Sequence, residues 1–537
     1  MLNQIIATLE NLNIFSYWLI FFAIFFLFIY LAEIVVIKFG QPIVRFALSL
    51  LKSIKEGISN NDDVKSFFTK HPKISAFLDR RLDKTHFFGF PLTMFALAFF
   101  YVLFLFSGVV DGIIRASTIV FVDTRVDNLL MIFRDETLTT FFTWVTVLGR
   151  GRVVLFFIIV TTVLLWLWRK RYYIIPFYVV LVGSEVFTYL GKIIFQRARP
   201  ASAIYFEPTY SFPSGHATTA VAFYGFVTYL LMSLIKSRRR KIHIFFVGFV
   251  LIFLIDFSRL YLGVHYLSDV WGGDLVGLLW LIIGISMAEW ALIKIGKGPK
   301  ILPFAKKKKT SASLIIASLV VYIVSVIYYQ PELMTVHPPL AEKVVNNIEE
   351  IFSDNHLRYT ETLSGAKQEP LSFIILAKDD DAFITIFEKA GWSLADSINL
   401  HSTIEIAKTA IAKKPYHTAP MTPSFWNLEV HNFGFEKATS ANSVRQRHHA
   451  RFWRTNYITK DGQQIYIGTA SLDSGIKWGI THKISPDIDT ERDYLLADII
   501  RENPEMSYKK KPFVDPVLGQ NFVGDQFFSD GQAYFLQ

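Results

Sequence analysis

Eight uninterrupted apolar runs decide most of what this chain can become. They fall at about 14–38, 86–114, 138–168, 172–194, 214–236, 242–262, 266–294 and 311–329. Each approaches or exceeds the roughly 20 residues that an α-helix needs to cross the hydrocarbon core of a bilayer. Lipid offers the backbone no hydrogen-bond partners, so runs of this length imply helices. The third and seventh are long enough to include a re-entrant or interfacial stretch. The first is not followed by a small-residue cleavage pattern and reads as a retained span. Beyond residue 330 the long apolar runs stop, so the chain has at least two parts that fold in different solvents.

Lysine and arginine set the orientation. The stretch 38–85 carries ten of them, and Arg169-Lys170-Arg171, Lys236 with Arg238–Lys241, and Lys306–Lys309 mark three further basic connections. These four fall on every second connection, so all can face the cytoplasm together. The 115–137 loop, the 195–213 loop, the 262–266 turn and everything after 330 then lie outside. A net charge of +10 is explained by this flanking pattern and needs no nucleic-acid partner. The chain has no cysteine, which excludes disulfides, thiolate metal sites and a cysteine nucleophile.

The expected architecture is an all-α polytopic membrane bundle followed by a soluble α+β domain. Residues 1–85 supply one span and a basic cytoplasmic linker, and 86–294 a six-helix core. Residues 295–330 supply a second basic linker and the last span, and 331–537 an exported domain. In that domain, 382–391, 399–414 and 490–502 read as helices, and 427–436, 449–458, 464–470 and 476–484 as strands.

Three short clusters carry chemistry, and the topology puts them at one membrane face. They are Lys192 with Arg199-Pro200, then Pro213-Ser214-Gly215-His216, then Ser258-Arg259 with His265 and Asp269. Lys192, Arg199 and Arg259 are costly near a low-dielectric boundary unless they face a cavity or a partner. Arginine matches phosphate oxygens with paired hydrogen bonds, and lysine adds a point charge. Ser214, Gly215 and His216 follow a proline at a helix start, where free N–H groups favour an anion. His265 and Asp269 lie one helical turn apart, so the carboxylate can hold one ring nitrogen and leave the other free. Taken singly, these residues read as caps, helix stops and interfacial side chains. Their convergence on one face argues for a phosphate site.

The three clusters together resemble the signature of the type 2 phosphatidic acid phosphatase superfamily, Lys-x6-Arg-Pro, Pro-Ser-Gly-His and Ser-Arg-x5-His-x3-Asp. Here they read KIIFQRARP (192–200), PSGH (213–216) and SRLYLGVHYLSD (258–269), and the resemblance spans about 86–294. It implies a metal-independent membrane phosphatase without a cofactor, in which His265 attacks phosphorus, Asp269 orients it and His216 protonates the leaving oxygen. Lys192, Arg199, Ser214, Gly215 and Arg259 would bind the phosphoryl oxygens. The implied setting is the outer, periplasmic face of a bacterial cytoplasmic membrane. The substrate would be a lipid phosphate: a polyprenyl diphosphate, phosphatidic acid, phosphatidylglycerol phosphate or a glycolipid phosphate such as lipid A. A lipid phosphotransferase using the same intermediate and a non-catalytic component of envelope assembly are the rival readings.

The tail is similar to the LssY carboxy-terminal domain over about 380–500, through TPSFWN (422–427), RQRHHARFW (445–453), DGQQIYIGTASLD (461–473) and THKISPDIDTERD (481–493). His448, His449, Asp473, His482, Asp487, Asp489 and Glu491 are candidate ligands. Adjacent histidines in a strand point to opposite faces, so His448 and His449 cannot share one ligand sphere. Two readings stay open: polar packing with a capped helix starting near Asp489, or a site for phosphate or sugar head groups resting on Arg445, Arg447, Arg451 and Arg454. An envelope glycolipid or protein would be the partner of such a domain.

Overall fold

The computed structural model describes residues 14–295, 308–331, 341–397, 416–443, 446–477, 481–521 and 524–537, with 402, 405 and 409 also placed in helix. Lys306, Lys307, Arg445 and most of the expected 399–414 helix lie outside the described residues, as does the side chain of His482. The chain divides into two compact units. One comprises Phe21–Arg115 and Glu136–Met334; the other gathers Ala116–Asp135 with Thr335–Gln537 and the first twenty residues.

The first unit is helical. Its elements are α1 (Ile14–Asn60), α2 (Asp62–Lys70), α3 (Pro72–Leu82) and α4 (Phe90–Ile114), then, beyond α5 of the other unit (Thr118–Ile132), α6 (Glu136–Val147), α7 (Gly151–Leu167) and α8 (Ile174–Phe195). There follow α9 (Gly215–Thr219), α10 (Gly225–Ser233), α11 (Arg238–Tyr261), α12 (Leu267–Lys294) and α13 (Lys308–Ile327). Among the described residues, six helices are long and apolar enough to cross a membrane, and a seventh span forms if the α6–α7 pair is taken as one. Residues 215–233 make up the remaining expected span, but a π-helical turn at Ala220–Tyr224 splits it into α9 and α10. The irregular stretch expected in the third run is a 44° bend between α6 and α7. The seventh run has none: it is one 28-residue helix.

Apolar side chains on this unit point both ways. Phe100, Phe104, Tyr189 and Ile194 are more than 60% exposed, as suits a surface solvated by lipid tails. Phe177, Val180, Phe226 and Ile255 are fully buried and form the centre of the bundle. The central α12 packs on α4, α8 and α9. Gly273 allows a close approach of backbone to backbone: a Cβ there would lie 2.5 Å from the Ser214 carbonyl oxygen. Small residues at such crossings replace the hydrophobic drive that helices in lipid lack.

The second unit is built on a nine-stranded mixed sheet. Its strands are β1 (Lys343–Val345), β2 (Phe373–Ala377), β3 (Ser393–Leu394), β4 (Phe433–Ser443), β5 (Gln446–Thr459), β6 (Gln464–Lys477), β7 (Thr481–Ile484), β8 (Tyr508–Pro512) and β9 (Gln532–Leu536). They run in the order β8-β9-β2-β6-β5-β4-β3, with β1 on β5 and β7 on β6. One face is covered by α14 (Asp380–Lys389) and α15 (Ile488–Glu502) over a core of Phe383, Phe387, Phe435, Phe452 and Tyr466. The other face meets a small four-stranded sheet, made of Tyr359–Glu361, Lys367–Pro370, Phe425–Trp426 and Glu429–Val430. The expected strand at 427–436 is interrupted, because Asn427 and Leu428 turn the chain through positive φ.

Helix α5 was read from sequence as part of a loop. Its polar residues Asp123, Arg125 and Asp127 are buried, and Arg125 Nε donates to Glu361 Oε2 at 2.9 Å. Asn128 Nδ2 donates to the Leu428 carbonyl at 3.0 Å. A segment that lies in sequence between two apolar helices is thus a built-in element of the carboxy-terminal domain. Removing one partner of a buried pair leaves the other charge uncompensated. We expect Arg125→Ala to lower stability by about 3 kcal/mol and to open 116–135 to protease, as measured by denaturant unfolding and limited digestion in detergent. Unchanged cleavage would show that α5 is not held this way.

Candidate active site

The three clusters meet at one end of the bundle, where α8 stops, α9 begins and the α11–α12 turn closes. The basic connections at 169–171 and 236–241 lie at the opposite ends of α8 and α11. Asp269, fully buried in the first turn of α12, links the clusters. Its Oδ2 accepts the Tyr266 N–H at 2.9 Å, completing a capping box, and stands 3.5 Å from His265 Nδ1. Its carbonyl accepts the Ser214 N–H at 2.9 Å, which fastens the second cluster to the third.

His265 is 3% exposed, and its Nε2 lies 3.1 Å from Arg199 Nη1. A guanidinium can only donate, so Nε2 carries the lone pair and the proton sits on Nδ1, facing Asp269. Arg199 Nη1 also donates to the Val264 carbonyl at 2.6 Å, and Nε to the Thr209 carbonyl at 2.7 Å. Lys192 Nζ donates to the Tyr210 carbonyl. Arg259 is almost fully buried: Nη1 donates to Thr146 Oγ1 at 2.7 Å and Tyr205 OH at 2.6 Å, and Nη2 to Glu207 Oε1 at 2.9 Å. Burial opposes ionisation of Glu207, yet Arg259 and Arg199 outweigh it and hold the carboxyl below its usual range.

His216 is carried by α9 and lies within electrostatic reach of Arg259, Arg199 and Lys192. Its ring rests against Gly149 in the α6–α7 bend, where a Cβ would come within 2.7 Å of Cδ2. Ser214 Oγ, His216 Nε2 and Arg259 Nε are buried without a hydrogen-bond partner. Buried polar atoms of native sites normally have partners. Gly215 follows Ser214 at the start of α9, with no atom nearer than 3.9 Å to a Cβ built there. A cavity of about 390 Å³ opens beside His216, with Leu155, Ile158, Leu181 and Glu185 in its walls.

All eight residues singled out from sequence therefore belong to this end of the bundle. Sequence reasoning missed four others. Arg197 donates to Asp269 Oδ1 at 2.6 Å and Ser268 Oγ at 2.7 Å, and its guanidinium lies 4.5 Å from the Tyr266 ring centre. Thr146, Tyr205 and Glu207 surround Arg259. Only Arg197 left a signal, as the first arginine in the RAR triplet of 197–199.

Residues 173–292 match the PAP2 superfamily. The chain carries a PAP2 superfamily domain. Residues 353–533 match the family described as LssY C-terminus, a longer stretch than the 380–500 read from sequence. Phosphatidylglycerophosphatase B of Bacillus subtilis is 28% identical to this chain over 180 residues, which are 33% of this chain and 88% of that protein. Among solved structures, the PAP2-type phosphatidylglycerolphosphate phosphatase of Bacillus subtilis is 25% identical, covering 36% of this chain and 96% of its own, with a TM-score of 0.32. Aquifex aeolicus LpxE is 29% identical over 30% of this chain and 92% of its own, with a TM-score of 0.24. The sequence matches, rather than the superpositions, carry the assignment. The PAP2 domain makes this a multi-pass membrane protein of the lipid phosphatase type.

Arg197 offers a direct check on the geometry of the PAP2 site. Arg197→Met would leave the Asp269 carboxylate buried without its cation, and a positioning loss of about 2.7 kcal/mol at the transition state corresponds to roughly 100-fold in rate. The expected result is a fall of that order in kcat with KM little changed, partly restored in Arg197→Lys. A loss confined to KM would show that Arg197 binds substrate and does not position Asp269.

Proposed function

We propose that the PAP2 domain hydrolyses a lipid phosphate monoester at the outer face of the cytoplasmic membrane through a phosphohistidine on His265. The observation that supports this most is the His265 pair of contacts, with Nδ1 towards Asp269 and the Nε2 lone pair towards Arg199. A nucleophile oriented by a carboxylate and facing an arginine is what in-line attack on phosphorus needs.

Arg199, Lys192 and Arg259 would exchange their present acceptors for phosphoryl oxygens, with Ser214 Oγ and the Gly215 N–H completing the cradle. Nε2 of His265 attacks phosphorus as the P–O bond to the lipid breaks, and His216 gives a proton to the departing oxygen. His216 then takes a proton from water, which attacks the phosphohistidine. The P–N bond breaks and inorganic phosphate leaves. Charge held in the cradle is greatest at the transition state, where fixed donors cost no reorganisation. Every step is assigned to side chains, and no metal takes part in the proposed cycle.

A lipid substrate is supported by the apolar walls of the cavity at His216 and by the exposed apolar faces of the surrounding helices. The phosphatidylglycerophosphatase relative makes a phosphatidylglycerol phosphate the first substrate to test. The outer face is supported by the alternation of basic connections and by α5. Because α5 is embedded in the exported domain, the 115–137 connection and that domain must share one side of the membrane.

Purified protein in detergent is expected to release phosphate from phosphatidylglycerol phosphate with or without a chelator, and His265→Ala to lose at least 1,000-fold, about 4 kcal/mol. Alkaline quenching during turnover should trap label on His265, and acid should release it. Chelator-sensitive release, or a His265→Ala enzyme with normal turnover, would reject the mechanism.

A further inference from the structure

One face of the exported sheet is polar where a buried sheet face is ordinarily apolar. Strand pairing sets Glu436 beside His449 and His449 beside Ser471, and in the next rungs Arg447 beside Asp473 and Arg451 beside Thr469. Alternation puts all of these on the same side of β4, β5 and β6. Trp453 and Ile467 continue that side as an ordinary hydrophobic core, so the change from apolar to charged happens within two residues of each strand.

The polar face encloses a cavity of about 50 Å³, closed by Thr360, Gln368 and Glu369 of the small sheet and by Thr422 and Ser424. Arg451 Nη1 lies 3.0 Å from His449 Nε2, and Ser471 Oγ 3.2 Å from the same nitrogen. His449 Nδ1 stands 3.2 Å from Asp473 Oδ1. The Ser471–His449–Asp473 line has the outline of a catalytic triad. However, Ser471 is fully buried, and a guanidinium competes for the imidazole lone pair, so Ser471 is not placed to act as a nucleophile.

The donors fit an anion better. Arg447 and Arg451 are about 13 Å apart along one strand face, with His449 between them, and the side chains of both line the cavity. The Gln368 amide nitrogen, also lining it, is buried with no hydrogen-bond partner. Burial pushes the Glu436 carboxyl up to about 8 against the pull of Arg447, and burial likewise raises Glu369. Arg447 is paired with Glu436 and, at 3.2 Å, with Asp473, whereas Arg451 meets neutral acceptors, the Thr422 carbonyl and His449 Nε2. Apolar residues would stabilise this face at least as well as buried charges do, so packing alone does not account for it.

We propose that the exported domain holds a second binding site, on the Arg447–His449–Arg451 face of β5, which takes a phosphoryl group or similar tetrahedral oxyanion through Arg451, Arg447 and the Gln368 amide. The group reaches it either as free phosphate or as the phosphomonoester head of a lipid. Of the arginines flagged in sequence, Arg454 points to the other face and pairs with Asp380 instead.

The test uses the full-length His265→Ala protein in detergent, so that phosphomonoesters are not consumed. Amide exchange in segments 446–451 and 469–473 is followed with inorganic phosphate and with a short-chain phosphatidic acid at millimolar concentration. Slowing by both assigns the site to the oxyanion itself, and slowing by phosphatidic acid alone assigns it to the lipid head. No slowing with either overturns the proposal. Gln368→Leu, which alters a half-buried side chain beneath the cavity and not the sheet core, should weaken binding about 10-fold. Arg451→Lys keeps the charge but loses the paired donors, and should weaken it similarly. Undiminished protection in both variants would place the bound group elsewhere and also overturn the proposal.

Discussion

A single carboxylate, Asp269, holds the membrane site together. It caps α12 through the Tyr266 N–H, holds the Arg197 guanidinium, faces His265 and receives the Ser214 N–H on its carbonyl. These contacts join the end of α8, the start of α9 and the α11–α12 turn. A fully buried carboxylate survives in such a place only if its lone pairs are satisfied by donors that cannot move away. Arg197 and the first turn of a helix meet that condition. The orientation of the His265 ring follows from it.

The same constraint explains why the helices around the site are irregular. The 44° bend between α6 and α7 carries Gly149, where a Cβ would come within 2.7 Å of the His216 ring, and α6 supplies Thr146, which accepts from Arg259 Nη1 at 2.7 Å. The π turn at 220–224 follows α9 directly and shifts the register between the His216 end of that span and its lower half. π turns inside helices concentrate at functional positions for this reason. Regularity serves the lipid-facing lengths, and departures from it gather around His216 and Arg259.

Much of this was legible in the sequence, and the illegible part has a common cause. Lys192, Arg199, Ser214, Gly215, His216, Arg259, His265 and Asp269 stand at spacings that helix ends enforce, so local pattern finds them. Glu207 and Tyr205 stand in an irregular loop, where nothing in the pattern says that they face Arg259. Helix α5 escaped because its buried face is made of Asp123, Arg125 and Asp127, so its hydrophobic period is weak. That face is polar because its partner Glu361 is polar. Strand alternation, in contrast, separated His448 from His449 correctly: His448 stacks on Tyr494 and bonds Glu491, and His449 faces Ser471 and Asp473. The interruption at Asn427–Leu428 needed a turn that no glycine announces.

The two polar sites differ in how the chain compensates them. In the PAP2 domain, three cations are held mainly by carbonyl and hydroxyl oxygens of residues 205–210, with Glu207 the one carboxylate on Arg259. Neutral acceptors can be exchanged for phosphoryl oxygens at small cost, which suits a group that must enter and leave. On the sheet of the carboxy-terminal domain, Arg447 is matched by Glu436 and Asp473, and burial pushes the Glu436 carboxyl up against the pull of Arg447. Such matching would suit the proposed anion site, charged enough to select an anion and compensated enough to stay folded without one. The first arrangement favours turnover and the second favours residence. That contrast is the physical reason to assign catalysis to the membrane end of the chain and recognition to the sheet.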